Sequence, residues 1–259
     1  RIQSKEARTR LILSLSANLK VTGWLTLQAR GNMDYSADKL RQKFYASTAT
    51  ALCGMNGRYI EMDYQETLMY GDVMAMAKKK LNDFTLNIAI GGSINDKVVN
   101  STRIDSKNAS LKFANVFNLA NIVMSSSASI DQKIDAHYQL QSVFATAQAG
   151  YKEGAFLDLT ARNDWSSTLA YTKYEKKGFF YPSIGVSFLP DKWVKMPEWV
   201  SFSKLRGAYS IVGNGVPPFI TYPVSYVTAG GGMLASDAAP FAEMKPEMTH
   251  SVELGMEWK

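Results

Sequence analysis

Few residues in this sequence stand at spacings that serve catalysis. Asp158 and Asp164 are the nearest approach to a carboxylate pair, but they fall in one strand-and-loop run, Phe156 to Leu169, and not around a common point. Two acid–base groups must reach the same reacting atoms, so Asp158 reads better as an interior strand carboxylate. Asp164-Trp165-Ser166-Ser167 offers a second option, with Trp165 as a stacking platform for a sugar. Equally, Asp164 and the serines can cap a turn while Trp165 sits as an interface aromatic, and that reading fits the neighbouring residues better. Gly230-Gly231-Gly232 is followed by no lysine and no helix signal, so it reads as a flexible loop and not a phosphate cradle. No Gly-x-Ser-x-Gly elbow and no His-Glu-x-x-His pair occurs. His137 and His250 are far apart, and Cys53 is alone, which excludes an internal disulfide and a thiolate metal cluster. No enzyme, metal or cofactor is expected.

The elements that would position any site are strands. Between Leu11 and Val21 the odd positions are Leu, Leu, Leu, Ala, Leu and Val, while Ser14, Ser16, Asn18 and Lys20 lie between them. Leu25, Leu27, Ala29, Met33 and Tyr35 repeat the pattern against Thr26, Gln28, Arg30, Asn32 and Asp34. It returns at Phe84–Ile90, Leu157–Ala161, Phe180–Phe188, Leu205–Ile211 and Val252–Trp258, with weaker strands near Tyr59–Ala77 and Ala136–Tyr151. Period-two alternation is the mark of a strand with two unlike faces, and about nine such strands follow. The Met-rich stretch Met69–Ala77 has helical propensity, but its alternation favours a strand.

Short and long connections alternate down the chain. Lys20–Gly23, Lys78–Asp83 and Tyr151–Gly154 are short, with Pro190–Val200 moderate; Ser36–Arg58, Asn95–Asp135, Trp165–Lys177 and Gly213–Lys245 are long. That asymmetry fits a transmembrane barrel with short turns on one side and long loops on the other. A soluble β-sandwich shares the alternation. Strand length separates the two: Leu11–Val21 and Leu25–Tyr35 each run about eleven residues, near the ~9–11 needed to cross a bilayer at a tilt, where ordinary strands have ~5–6. Trp24, Tyr35, Phe84, Tyr151, Trp165, Phe180, Trp199 and Trp258 stand at segment ends, as interfacial girdles do. No run of ~18 apolar residues occurs, and the slightly negative mean hydropathy suits alternating strands. The net charge of +6 includes Lys78-Lys79-Lys80. No nucleic-acid motif accompanies that run, so it reads as a solvated turn.

Five motifs in order carry a family likeness. They are Ser142-Val143-Phe144-Ala145; Phe156-Leu157-Asp158-Leu159-Thr160-Ala161-Arg162-Asn163-Asp164-Trp165-Ser166-Ser167-Thr168-Leu169; Phe179-Phe180-Tyr181-Pro182-Ser183-Ile184-Gly185-Val186-Ser187-Phe188; Lys204-Leu205-Arg206-Gly207-Ala208-Tyr209 with Val212-Gly213-Asn214; and Lys245-Pro246-Glu247-Met248-Thr249 with Glu253-Leu254-Gly255. Together they resemble the SusC/RagA group of TonB-dependent outer-membrane transporters, strongly after about residue 130 and weakly before it. The resemblance implies an all-β antiparallel meander, residues 1–259 forming part of a barrel of ~22 strands around a plug. It also implies a plug, a TonB-contact segment and a signal peptide before Arg1, and further strands after Lys259. The implied function is TonB-dependent import of glycan oligosaccharides or peptides at the outer membrane of a Gram-negative bacterium, with a SusD-like surface lipoprotein and the TonB complex as partners. Asp158, Arg162, Asp164, Trp165 and Arg206 are then the lumen or rim candidates for ligand contact. A passive porin or structural barrel is the alternative, and a soluble β-sandwich binding module a more distant one.

Overall fold

A computed structural model of the chain describes residues 1–107, 111–123, 129–222, 224–227, 232–236 and 239–259. Gly230 and Gly231, read above as a flexible loop, lie outside the described residues. The strands are β1 (Ile2–Lys20), β2 (Leu25–Phe44), β3 (Arg58–Leu81), β4 (Phe84–Asp105), β5 (Ser129–Tyr151), β6 (Ala155–Ser166), β7 (Phe179–Phe188), β8 (Ser203–Asn214), β9 (Tyr226–Val227), β10 (Met233–Leu234) and β11 (Glu247–Trp258). Nine of them form one sheet in the order β1-β2-β3-β4-β5-β6-β7-β8-β11, every pair antiparallel, while β9 and β10 form a separate two-stranded ribbon. Met69–Ala77 lies within β3. The sheet is open, with β1 and β11 at its edges.

Because partners in direct register share a face, the pairing shows which side chains lie together. Leu19 opposes Leu27, which opposes Ala75 and then Ile90, Ala145, Ala161 and Pro182. Leu159 opposes Ile184, which opposes Tyr209 and then Val252. One apolar band thus crosses all nine strands, from Leu11–Leu19 on β1 to Val252–Trp258 on β11. Leu157, Leu159, Phe180, Ile184, Leu205 and Ile211 all belong to it. Nothing packs over this band among the described residues: Leu15 is 81% exposed and Leu254 87%. An area this large lies far beyond the few hundred Å² of contiguous apolar surface that a soluble monomer carries. The opposite face is more crowded. Asp72 and Ser142 are buried there, and a Cβ at Gly91 would lie 2.6 Å from the Val73 carbonyl oxygen and 2.7 Å from Phe144 Cζ. On the apolar face, a Cβ at Gly31 would meet nothing within 4 Å. Such asymmetry in a single layer is what curvature towards the polar face produces.

Aromatic rings edge the band. At the short-turn side Phe84, Tyr151, Trp193 and Phe188 make one cluster, with centroids 4.7 Å, 5.4 Å and 5.7 Å apart in succession. At the long-loop side stand Tyr35, Trp165 and Phe180.

Two sequence-based boundaries need correction. The connections read as Ser36–Arg58 and Asn95–Asp135 are shorter than that: β2 continues to Phe44, β3 begins at Arg58, β4 reaches Asp105 and β5 starts at Ser129. At ~3.3 Å per residue, the 24 residues of β3 run about 80 Å, much more than a tilted crossing of a ~30 Å hydrocarbon core requires. The excess lies wholly on the long-loop side. Alternation fades there because both faces are polar. Cross-strand pairs such as Arg8–Asp38, Arg10–Asp34 and Lys97–Glu66 continue the ladder instead.

Candidate functional site

On the polar face hydrogen-bonding groups are set in ordered rows across the strands. Ser16, Arg30, Asp72, Ser93, Ser142 and Asp164 oppose one another in a single row across β1 to β6. Arg30 donates to Asp72 at 2.9–3.1 Å, and the Asp72 side chain is fully buried. At the far end of the row Arg162 Nε donates to Asp164 Oδ1 at 2.6 Å, while its Nη2 reaches Ser142 Oγ at 2.8 Å. A second row lies nearer the short turns, where Asn87 donates to Gln148 at 3.4 Å and Gln148 to Asp158 at 2.7 Å. Rows of this kind hold donors and acceptors in fixed register across the strands.

The structure separates the five candidates. Asp158, Arg162 and Asp164 project from β6 onto the polar face, where Arg162 and Asp164 bond to each other and Asp158 stands apart with Gln148. Arg206 is on the polar face of β8, opposite Ser187 and Gly255; a Cβ at Gly255 would lie 2.5 Å from its Nε. Trp165 points the other way, in line with Leu157 and Leu159 at the long-loop edge of the apolar band. This is the face that its alternation phase indicates. The five do not converge on one pocket. The broader depressions are shallow and mostly apolar, such as the one between Ile88, Ala147, Leu159 and Ile184 on the side away from the polar rows, while a smaller one on the polar face lies between Lys204, Arg206, Gly255 and Glu257.

Sequence reasoning missed two charge clusters. Arg30–Asp72 joins residues 42 positions apart, and only the register discloses it. The second lies where the strands meet their loops. Asp105 accepts from Arg58 at 2.7 Å and 2.8 Å, from Arg103 at 2.9 Å and from the Lys107 backbone N–H at 2.8 Å. Burial alone would push its carboxyl up, but these donors and charges hold it below the usual carboxylate range. Beside it, burial and a hydrogen bond to Glu61 push the Tyr59 phenol up to about 12. Tyr59, Leu111 and Ile122 form a small core there, with Ile104 and Phe117 against it. Cys53 is buried nearby, its sulfur close to the Tyr45, Thr48 and Ala49 carbonyls. Residues 45–57 and 111–122 are therefore an ordered mound, tied by Asn56 to the Leu111 carbonyl at 2.7 Å and by Asn115 to the Ala46 N–H at 2.8 Å.

The family model for the TonB dependent receptor-like β-barrel matches residues 2–259. The chain belongs to that family. Among solved structures, this barrel chain is similar to the RagAB peptide transporter, with a TM-score of 0.82 and 18% identity over 99% of this chain and 28% of that one. The RagAB peptide importer in the closed-closed state gives 0.80 with the same identity and coverage. The siderophore receptor PiuA from Acinetobacter baumannii gives 0.55, with 11% identity over 98% of this chain and 38% of that one. At these identities the likeness concerns the fold. The chain spans about a quarter of the length of the RagAB chains it matches. No curated protein matches its sequence.

Proposed function

We propose that this chain forms part of the wall of an outer-membrane transporter driven through TonB, with the apolar band against lipid and the polar rows lining the lumen. The observation that carries this is the division of one nine-stranded meander into an uninterrupted apolar face and a hydrogen-bonded polar face, within a family of receptor barrels. In a bilayer every backbone group must be satisfied internally, and only helices and closed barrels manage it. No helix among the described residues is long and apolar enough to cross, so the crossing falls to strands.

On this reading the ligand is a glycan oligosaccharide or a peptide, taken up with a SusD-like lipoprotein seated over the long loops and with the TonB complex engaging a region outside this chain. Asp158, Arg162, Asp164 and Arg206 are lumen-wall groups that ligand or plug meets on the way through, and Trp165 anchors the barrel in the interface. No catalytic role is assigned to any of them. Comparing uptake by cells carrying the full-length protein, with and without a protonophore and with and without TonB, tests the reading. Loss of uptake in both treatments supports energised import. Uptake that persists in both would mean a passive porin, the alternative.

A further inference from the structure

The chain contains two Asn-Gly steps, Asn56-Gly57 and Asn214-Gly215. Such a step is chemically soft, because glycine has no side chain to shield its backbone nitrogen, which can attack the asparagine Cγ. The structure treats the two steps differently. Asn56 is half-buried in the loop mound, and its Nδ2 donates to the Leu111 carbonyl at 2.7 Å and to the Lys112 carbonyl at 3.4 Å. The Gly57 N–H donates to the Gly54 carbonyl at 2.9 Å. The attacking nitrogen and the leaving amide are both engaged, and the ordered backbone around them resists the rotation that would bring them together. Asn214 stands in the opposite situation. It is exposed, and it is the last residue of β8, at the long-loop end. β7 leaves β8 beyond the Ser183–Ser210 pair, where Pro182 has no N–H to offer, so residues 211–214 pair with β11 alone. Among the described residues the Asn214 side chain makes no hydrogen bond and the Gly215 N–H has no acceptor. A Cβ at Gly215 would meet nothing within 4 Å. The end of a ladder also opens more readily than its middle.

We propose that Asn214 is a site of spontaneous deamidation on the loop side of the sheet, and that the fold withholds Asn56 from the same reaction. The Gly215 nitrogen bonds to Asn214 Cγ, the Cγ–Nδ2 bond breaks, and the side-chain nitrogen departs as ammonia with the proton that the Gly215 nitrogen gives up. Water then opens the cyclic imide. Attack at Cγ gives aspartate, and attack at the backbone carbonyl carbon gives isoaspartate, with the chain running through Cγ. A water enters, an ammonia leaves, and nothing is oxidised or reduced. The product has a local consequence. Asn214 opposes Glu247, the first residue of β11. The new carboxylate therefore stands opposite an existing one, and like charges so placed destabilise a ladder. Deamidation should loosen the loop-side ends of β8 and β11, where the long connection between them begins and ends.

The test holds the folded full-length protein at neutral pH and growth temperature in heavy-oxygen water, beside a sample unfolded in guanidinium. Peptides spanning each step are then quantified by mass spectrometry for replacement of the amide NH2 by labelled hydroxyl, and isoaspartate is read from its diagnostic backbone fragments. In the folded protein Asn214 should convert roughly 25-fold faster than Asn56, at about fivefold for each of the two bonds, Asn56 Nδ2 to Leu111 and Gly57 N–H to Gly54, that must first open. In guanidinium the two steps should convert at similar rates. Asn214→Gln should abolish the conversion at that position. Asn214→Asp should speed backbone hydrogen exchange at Met248 and Thr249 and leave exchange at Tyr59 unchanged. Equal conversion at the two steps in the folded protein would overturn the proposal. So would an Asn214 amide that persists in the folded protein while the unfolded chain loses it. Unchanged exchange in Asn214→Asp would overturn the loosening of the strand ends.

Discussion

Replacing Leu159 by Arg places a guanidinium on the apolar face between Ala147 and Ile184. The position is four residues in from Ala155, where β6 begins at the short turn, so it sits about 10 Å from that edge of a band ~25 Å tall. A cation near the midplane of a lipid-facing strand costs roughly 2–4 kcal/mol, or about 30- to 1,000-fold in the folded-to-unfolded ratio. Thr160→Arg is the matched control. Its neighbours across the sheet are Thr146 and Ser183, on the face that carries Arg162 and Asp158, so the new charge should stay hydrated. Strand propensity and backbone context are nearly the same at the two positions, and the comparison isolates the environment of one face. Heat-modifiable gel mobility of the full-length variants in outer-membrane fractions, followed by urea titration in liposomes, gives the populations. A deficit at Leu159→Arg with near wild-type behaviour at Thr160→Arg is expected. Equal deficits, or a worse one at Thr160→Arg, would mean that the faces are assigned the wrong way round or that no bilayer is involved.

Gly91→Ala should destabilise by about 1–3 kcal/mol through overpacking, because its Cβ would meet the Val73 carbonyl oxygen and the Phe144 ring. Gly31→Ala on the opposite face should be close to neutral, and urea midpoints compare the two. The Asp105 carboxyl is held below its ordinary value, so its contribution to the loop mound is complete above the ordinary carboxylate range and lost as pH falls through its depressed value; hydrogen-exchange protection factors at Tyr59 and Lys107, taken relative to the intrinsic rate at each pH, should fall on acidification, and less so in Asp105→Asn. Arg30→Met should lower the urea midpoint more than Asp72→Asn does, since the first leaves a buried carboxylate without its cation. Cys53 should resist maleimide in the folded protein and react once unfolded, because its side chain is buried under residues 45–49.

Alternation was sufficient to place strands wherever one face is apolar and the other polar, as at Leu11–Leu19 or Leu157–Ala161, and the phase of each run assigned side chains to faces correctly. Trp165 shows the strength of phase: two residues beyond Asn163 on the odd face of β6, it had to leave Asp164. The same signal vanished beyond Tyr35. Ser36–Phe44 has charged or polar side chains on both faces, so hydropathy contrast is absent, and what makes it a strand is pairing with residues on β1 and β3. Asp158, Arg162 and Asp164 were recognisable as polar-face groups from β6 alone. Their division into separate rows, and the Arg30–Asp72 and Arg58–Asp105 pairs, depended on register between strands far apart in sequence.

The apolar face should meet lipid and the polar face water. Nitroxide labels at Leu13, Leu159 and Leu254, and at their neighbours Ser14, Thr160 and Glu253, in the full-length protein in liposomes measure it through collision with oxygen, which concentrates in hydrocarbon, and with a polar nickel chelate, which stays in water. Oxygen should dominate at the three leucine positions and the chelate at the three neighbours. The reverse pattern, or chelate access at all six, would contradict the account.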